Sequence, residues 1–167
     1  MSLRMLILTA CLLSVSARSE EAVAPEFNLD AFKIGKLHRG MQAAEAVGLP
    51  GCVFTKGALI NSEADGAWHQ TWSAPRCGLT LGFGAEDKKK PLTLFDMKIE
   101  APSNFKTQKG IGIGSSEADV RSQYVREINK EESINQQRLV LGSVYGGVIF
   151  ELDKGRVKSI FVGAAAE

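Results

Sequence analysis

Histidine, long apolar runs and net charge are all scarce in this chain, and each scarcity closes off a class of function. The only histidines are His38 and His69, without the H-E-x-x-H spacing or the third ligand signature that a zinc site requires. They read as structural or solvated side chains. Beyond the first fifteen residues no apolar stretch is long enough to cross a bilayer. The 20 Lys and Arg nearly balance the 19 Asp and Glu, which argues against nucleic acid or an anionic membrane as the main partner. Catalytic signatures are missing as well. Ser115, Ser116 and Ser143 stand close behind glycines, yet none has the G-x-S-x-G frame of a nucleophile elbow. Gly110-Ile111-Gly112-Ile113-Gly114 has neither the Lys-Ser/Thr of a P-loop nor the last glycine of G-x-G-x-x-G. It reads as a glycine-rich strand that lets backbones approach closely. The carboxylate pairs Glu63/Asp65 and Asp96/Glu100 fall on loop or strand surfaces with no apolar pocket indicated around them, so nothing points to a glycosidase pair. No cofactor is implied.

Cysteine is rare too, and its placement is informative. Arg4 precedes an almost wholly apolar run from Met5 to Val15, followed by the small residues Ser16-Ala17. This is the layout of a secretory signal peptide spanning 1–17. Leu8-Thr9-Ala10-Cys11 offers a rival, lipobox-like route to a lipoprotein anchored through Cys11, although few apolar residues precede that cysteine. Cleavage after Ala17 leaves Cys52 and Cys77 as an even pair in an oxidising compartment, periplasmic or secreted, and such a pair reads as a disulfide. Their separation of 25 residues does not match the C-x-x-C spacing of redox motifs.

Residues 18–30 form a polar, loose leader. The rest divides into two similar halves, 31–101 and 102–167. Gly40 and Gly114 stand 74 positions apart, and each opens a short helix with an apolar residue six positions on, Ala46 or Val120. The first helix, Met41 to Val47, is stopped by Gly48-Leu49-Pro50-Gly51. The second has Ser116 as N-cap with Asp119 three residues later, and Val120 and Tyr124 share its buried face. Strand patterns follow in both halves: 52–54, 67–73, 77–83 and 92–100, then 138–144, 147–152 and 157–162, with Asp153-Lys154-Gly155 as a hairpin turn. The lysine triplet Lys88-Lys89-Lys90 lies in a solvated turn, and the polar stretch 127–137 reads as a loop or frayed helix end. The expected fold class is α+β: two tandem repeats, each a short helical segment packed on an antiparallel β-meander.

Arg39-Gly40-Met41 through Gly48-Leu49-Pro50 resembles the Gly-Met-Thr…Val…Leu-Gly-x-Pro signature of SmpA/OmlA-type outer-membrane assembly lipoproteins. The tandem arrangement is similar to β-lactamase-inhibitor-protein-like modules, which are also secreted. The resemblance covers two short motifs and the element order. It departs at Gln42, which stands where the signature has its capping threonine, and the second copy lacks Gly-x-Pro after its helix. It implies a concave sheet surface that grips another protein without catalysis, and it carries over no contact residue.

Trp68-His69-Gln70-Thr71-Trp72 is the most suggestive surface feature. On a strand Trp68, Gln70 and Trp72 share one face. There they form either a platform for a protein loop or sugar or part of a small core. Tyr145, before Gly146-Gly147, is a second candidate anchor. The expected function is a non-enzymatic secreted or periplasmic module that binds, and inhibits or neutralises, another envelope protein. The alternative is a module for a glycan or cell-wall fragment using the tryptophans.

Overall fold

The computed structural model describes residues 27–165. The signal peptide, Cys11 and the leader before residue 27 lie outside the described residues. A two-stranded ribbon comes first, β1 (Lys33–Ile34) with β2 (Leu37–His38). Helix α1 (Ala43–Ala46) follows, then the short strands β3 (Thr55–Lys56) and β4 (Ile60–Asn61). The longer strands β5 (Trp68–Ala74), β6 (Leu79–Ala85) and β7 (Thr93–Glu100) form a meander. Helix α2 (Glu117–Gln123) precedes a second run of β8 (Ile128–Ile134), β9 (Arg138–Ser143), β10 (Gly146–Asp153) and β11 (Arg156–Gly163).

The expected two repeats, each with its helix on its own meander, are not what forms. Strands from both halves join one nine-stranded antiparallel sheet, ordered β3-β5-β6-β7-β11-β10-β9-β8 with β4 beside β3 on β5. The last strand of each half makes the junction: Ile99 of β7 pairs with Ile160 of β11, and Met97 with Val162. Both edges of a lone meander would expose unpaired backbone groups, and pairing β7 with β11 removes one edge from each. The two helices are only four and seven residues long, too short to cover a sheet, so much of the second layer is ribbon and loop. Strands therefore dominate the molecule, and the two-repeat α+β description gives way to a single twisted-sheet architecture.

Alternation along the strands sorts side chains to two faces. Leu79, Leu81 and Phe83 of β6, Leu94, Met97 and Ile99 of β7, and Val148, Phe150 and Leu152 of β10 turn to one side and are buried. Against them lie Ile34 and Leu37 of the ribbon, Ala43 and Ala46 of α1, and Val120 and Tyr124 at α2, all in one apolar cluster. Each large side chain so buried contributes about 1.5–3 kcal/mol. Helix α2 starts as its sequence indicates: the Asp119 amide donates to Ser116 Oγ at 3.1 Å, and the Ser116 amide donates to Asp119 Oδ2 at 3.1 Å. At α1 the Gln42 amide donates to Glu45 Oε1 at 3.1 Å. The glycine-rich stretch before α2 is turn rather than strand, but the close approach is real: a Cβ on Gly112 would stand 2.9 Å from the Phe105 carbonyl. Cys52 and Cys77 are joined in a disulfide, which ties the segment after α1 to the start of β6.

Among the described residues both α-helices lie on the core side, and the other face of the sheet carries neither. Between Gly82 and Phe83 the β6–β7 register slips: Gly82 pairs with Asp96 and Phe83 with Leu94, so Phe95 is the extra residue of a bulge. Leu94 and Met97 both point into the core. Phe95 and Asp96 are consequently both turned outward, although consecutive residues of a regular strand would point to opposite sides.

Candidate functional site

The sequence-derived candidates do not come together. Trp68, Gln70 and Trp72 share a face, but it is the helix-bearing one. Trp72 is 3% exposed and packs at a tilt against Phe83 at 4.7 Å, with Phe54 at 5.9 Å. Lys56 Nζ sits 4.1 Å from its ring centroid. Gln70 is a brace: its Oε1 accepts from the Trp72 indole at 2.8 Å, and its Nε2 donates to the Gly57 carbonyl at 2.8 Å. Trp68 is half-buried, with Lys88 Nζ 5.0 Å from its ring. Tyr145 is 72% exposed in the β9–β10 turn, among the strands of the second half. Between α1 and Trp72 runs a groove of about 640 Å³, lined by Lys56, Lys88 and Lys90 and by Leu59 and Val47.

The helix-free face holds the more structured patch. Three residues without side chains, Gly82 and Gly84 on β6 and Gly163 at the end of β11, form its floor. A Cβ on Gly82 would stand 2.7 Å from Asp96 Cγ, so the carboxylate occupies the space that any larger residue there would fill. A Cβ on Gly163, whose φ is +147°, would stand 2.8 Å from Asp96 Cβ and 3.3 Å from Phe161 Cζ. One on Gly84 would meet the Phe95 ring at 3.3 Å and His69 Nδ1 at 3.7 Å. Asp96 thus lies flat on the sheet, with Phe161 beyond one glycine, and the Phe95 and His69 rings over another. The two rings meet edge-on at 5.1 Å and 83°.

The polar wiring of the patch is specific. His69 Nε2 lies 2.9 Å from Asp65 Oδ2; an ionised carboxylate only accepts, so Nε2 carries the proton. Asp65 is held below the usual aspartate range, first by the Ala67 amide, then by Ser62 and His69. Thr93, beside them, donates its hydroxyl to the Gly84 carbonyl at 3.3 Å rather than to the imidazole. Asp96 differs from both. Burial pushes its carboxyl above the usual range, against the Gly82 amide and the charges of His69 and Arg39, which favour ionisation. No ion pair among the described residues includes it. Lys98, two residues along the same strand, instead pairs with Glu100 at 2.8 Å. Near the start of β7, Arg39 Nε is buried without a hydrogen-bond partner among the described residues. Its nearest carboxylate is Asp30, at 3.8 Å.

Sequence reasoning placed Asp96 on a surface without a pocket and missed this arrangement. The available signal was the i, i+2 glycine pair Gly82/Gly84, which leaves one face of a strand bare. Among the described residues no group of three or more His, Cys, Asp or Glu side chains is placed to hold a metal ion, and no helix is long and apolar enough to cross a membrane. No protein-family model matches the chain, and no curated protein or solved structure is significantly similar to it.

Proposed function

We propose that this protein is a non-enzymatic, periplasmic or secreted binding module that grips another envelope protein through the helix-free face of its sheet, and so inhibits or neutralises it. The observation that carries this reading is the bulge at Phe95-Asp96, which turns two consecutive side chains outward onto a glycine floor beside Phe161 and His69. Aromatic and charged anchors held on a sheet suit recognition of a protein surface; on this face Val140 and Ile149 are buried, so the accessible part centres on β5–β7. The resemblance of Arg39-Gly40-Met41 through Gly48-Leu49-Pro50 to the signature of SmpA/OmlA-type modules points the same way, and the Cys52–Cys77 disulfide is compatible with an oxidising compartment. A binding role rather than nucleophilic catalysis is supported by the Thr93 hydroxyl, which donates to the Gly84 carbonyl and not to the imidazole of His69. The glycan reading needed two exposed tryptophans side by side. Trp72 is a core residue, which leaves that reading with Trp68 alone.

The test compares two arginine substitutions at exposed positions on opposite faces, Thr71→Arg on the helix-free face and Ala44→Arg on α1. The immobilised mature chain and Ala44→Arg should retain the same discrete envelope protein, and Thr71→Arg should lose at least about tenfold in affinity, or 1.4 kcal/mol. Equal retention by all three, or retention of a cell-wall fragment with no protein, overturns the proposal.

A further inference from the structure

We propose that the Asp96 slot is a receptor for one cationic side chain, arginine or lysine, presented by the protein that docks on the helix-free face. This rests on the docking reading above and adds the chemistry of its central contact.

Three features of the slot converge. The first is room. Gly82 and Gly163 leave bare the two positions whose side chains would collide with Asp96, so the carboxylate lies at the level of the sheet instead of projecting into water. The second is the missing partner. A carboxylate partly withdrawn from water is unfavourable unless it is paired, and no described cation lies within ion-pair distance of Asp96. The nearest candidate on its own strand, Lys98, is engaged by Glu100. Because Asp96 faces outward, the absent cation can arrive from another molecule. The third is the surroundings. Phe161 stands beyond Gly163, and Phe95 with His69 over Gly84. The alkyl stem of a lysine or arginine packs on such rings, and the charged head gains from the ring faces. Phe95 lines a hollow of about 410 Å³ with the carboxylates of Asp65 and Glu86, and another of about 450 Å³ with Asp30 and Arg39, whose guanidinium stays outside ion-pair distance of Asp96.

An amide contact between Gly82 and Asp96 accounts for the orientation of the carboxylate. It does not account for a second glycine at 163, or for two phenylalanines turned outward around the same group. A receptor for a basic side chain uses all of them. On a docked face the pair would be removed from water, where such pairs are held most strongly and where loss of one partner is most damaging.

The experiment uses the intact mature protein without any partner. Carbon-detected NMR follows the side-chain carboxyl resonances and the phenylalanine rings during titration with N-acetyl-arginine amide, N-acetyl-lysine amide, or the neutral isostere N-acetyl-citrulline amide. The expected result is a saturable shift at Asp96, Phe95 and Phe161 with one or both cationic probes, none with citrulline, and a fall in the Asp96 pKa as the probe is added. Asp96→Asn should weaken the ring response by about tenfold, with the amide spectrum elsewhere unchanged. The pKa is read in the wild-type protein, so a variant that misfolds does not remove the test. Equal responses to citrulline, a response centred on Asp65 that survives Asp96→Asn, or an unchanged Asp96 pKa would overturn the proposal. Those outcomes leave docking through this face standing, because docking itself is decided by Thr71→Arg.

Discussion

A carboxyl group half removed from water, with no cation against it, works against the fold that holds it. Asp96 is such a group, and its effect on stability has a definite sign. Burial raises its folded pKa above the unfolded one, so between those two values the native state binds the proton more tightly. Stability from this group is full below the unfolded aspartate range near 3.8. It is lost as pH rises from there through the folded value. The Gly82 amide and the charges of His69 and Arg39 moderate the loss without reversing it. Asp96→Asn should therefore raise the melting temperature at pH 7, and the advantage should shrink as pH falls through the carboxylate range. Thermal melts of both proteins from pH 7 to pH 3 check this. Stabilisation by removal of a surface-facing charge is the pattern expected where a residue is kept for binding at the fold's expense. Trp72 shows the opposite relation between sequence and role. Its aromatic bulk suggests a platform, but Phe83, Phe54 and Lys56 surround the ring, and its indole N–H donates to Gln70 Oε1. A tryptophan on a half-buried strand reads alike in both settings, because the pattern gives the face and not which face is covered.

At the scale of elements the chain is legible where apolar alternation is strong. The patterns over 67–73 and 92–100 appear as β5 and β7, those over 147–152 and 157–162 as β10 and β11, and Ser116 caps α2 as its sequence indicates. The polar stretch 127–137 reads as a loop or frayed helix end, yet it contains β8. It is an edge strand whose register breaks between Asn129 and Ile134, and Asn129 Oδ1 accepts from the amides of Glu131 and Glu132. An edge strand needs few apolar residues and tolerates charge, so the hydrophobic signal is absent there. The bulge at Phe95 is equally silent, because one extra residue leaves apolar residues on both sides of it. The disulfide is the element-scale feature with the largest expected energy. It closes a loop of 25 residues, and chain entropy gives about 3 kcal/mol for such a loop. Cys52→Ser combined with Cys77→Ser should lower the urea midpoint by the corresponding amount without changing the far-UV spectrum, as equilibrium denaturation would show.

At the scale of the molecule, the two-repeat reading of the sequence is not what the structure forms. Two glycine-led helix starts and two strand runs suggested two units standing side by side. Pairing of Met97 and Ile99 with Val162 and Ile160 instead fuses the strands into one sheet, and long-range registers of this kind leave no local pattern in either partner. Fusion also creates the surface on which the functional reading depends. The Asp96 slot takes Gly82 from the first half and Gly163 from the second, so neither half could form it alone. The central claim, that this joined face meets another protein, is tested most directly by photo-crosslinking in the native cell envelope, with a benzophenone amino acid at Thr71 or at Ala44. The account predicts a discrete protein adduct from position 71 and none of the same mass from position 44. Identical adducts from both positions, or none from position 71, would contradict it.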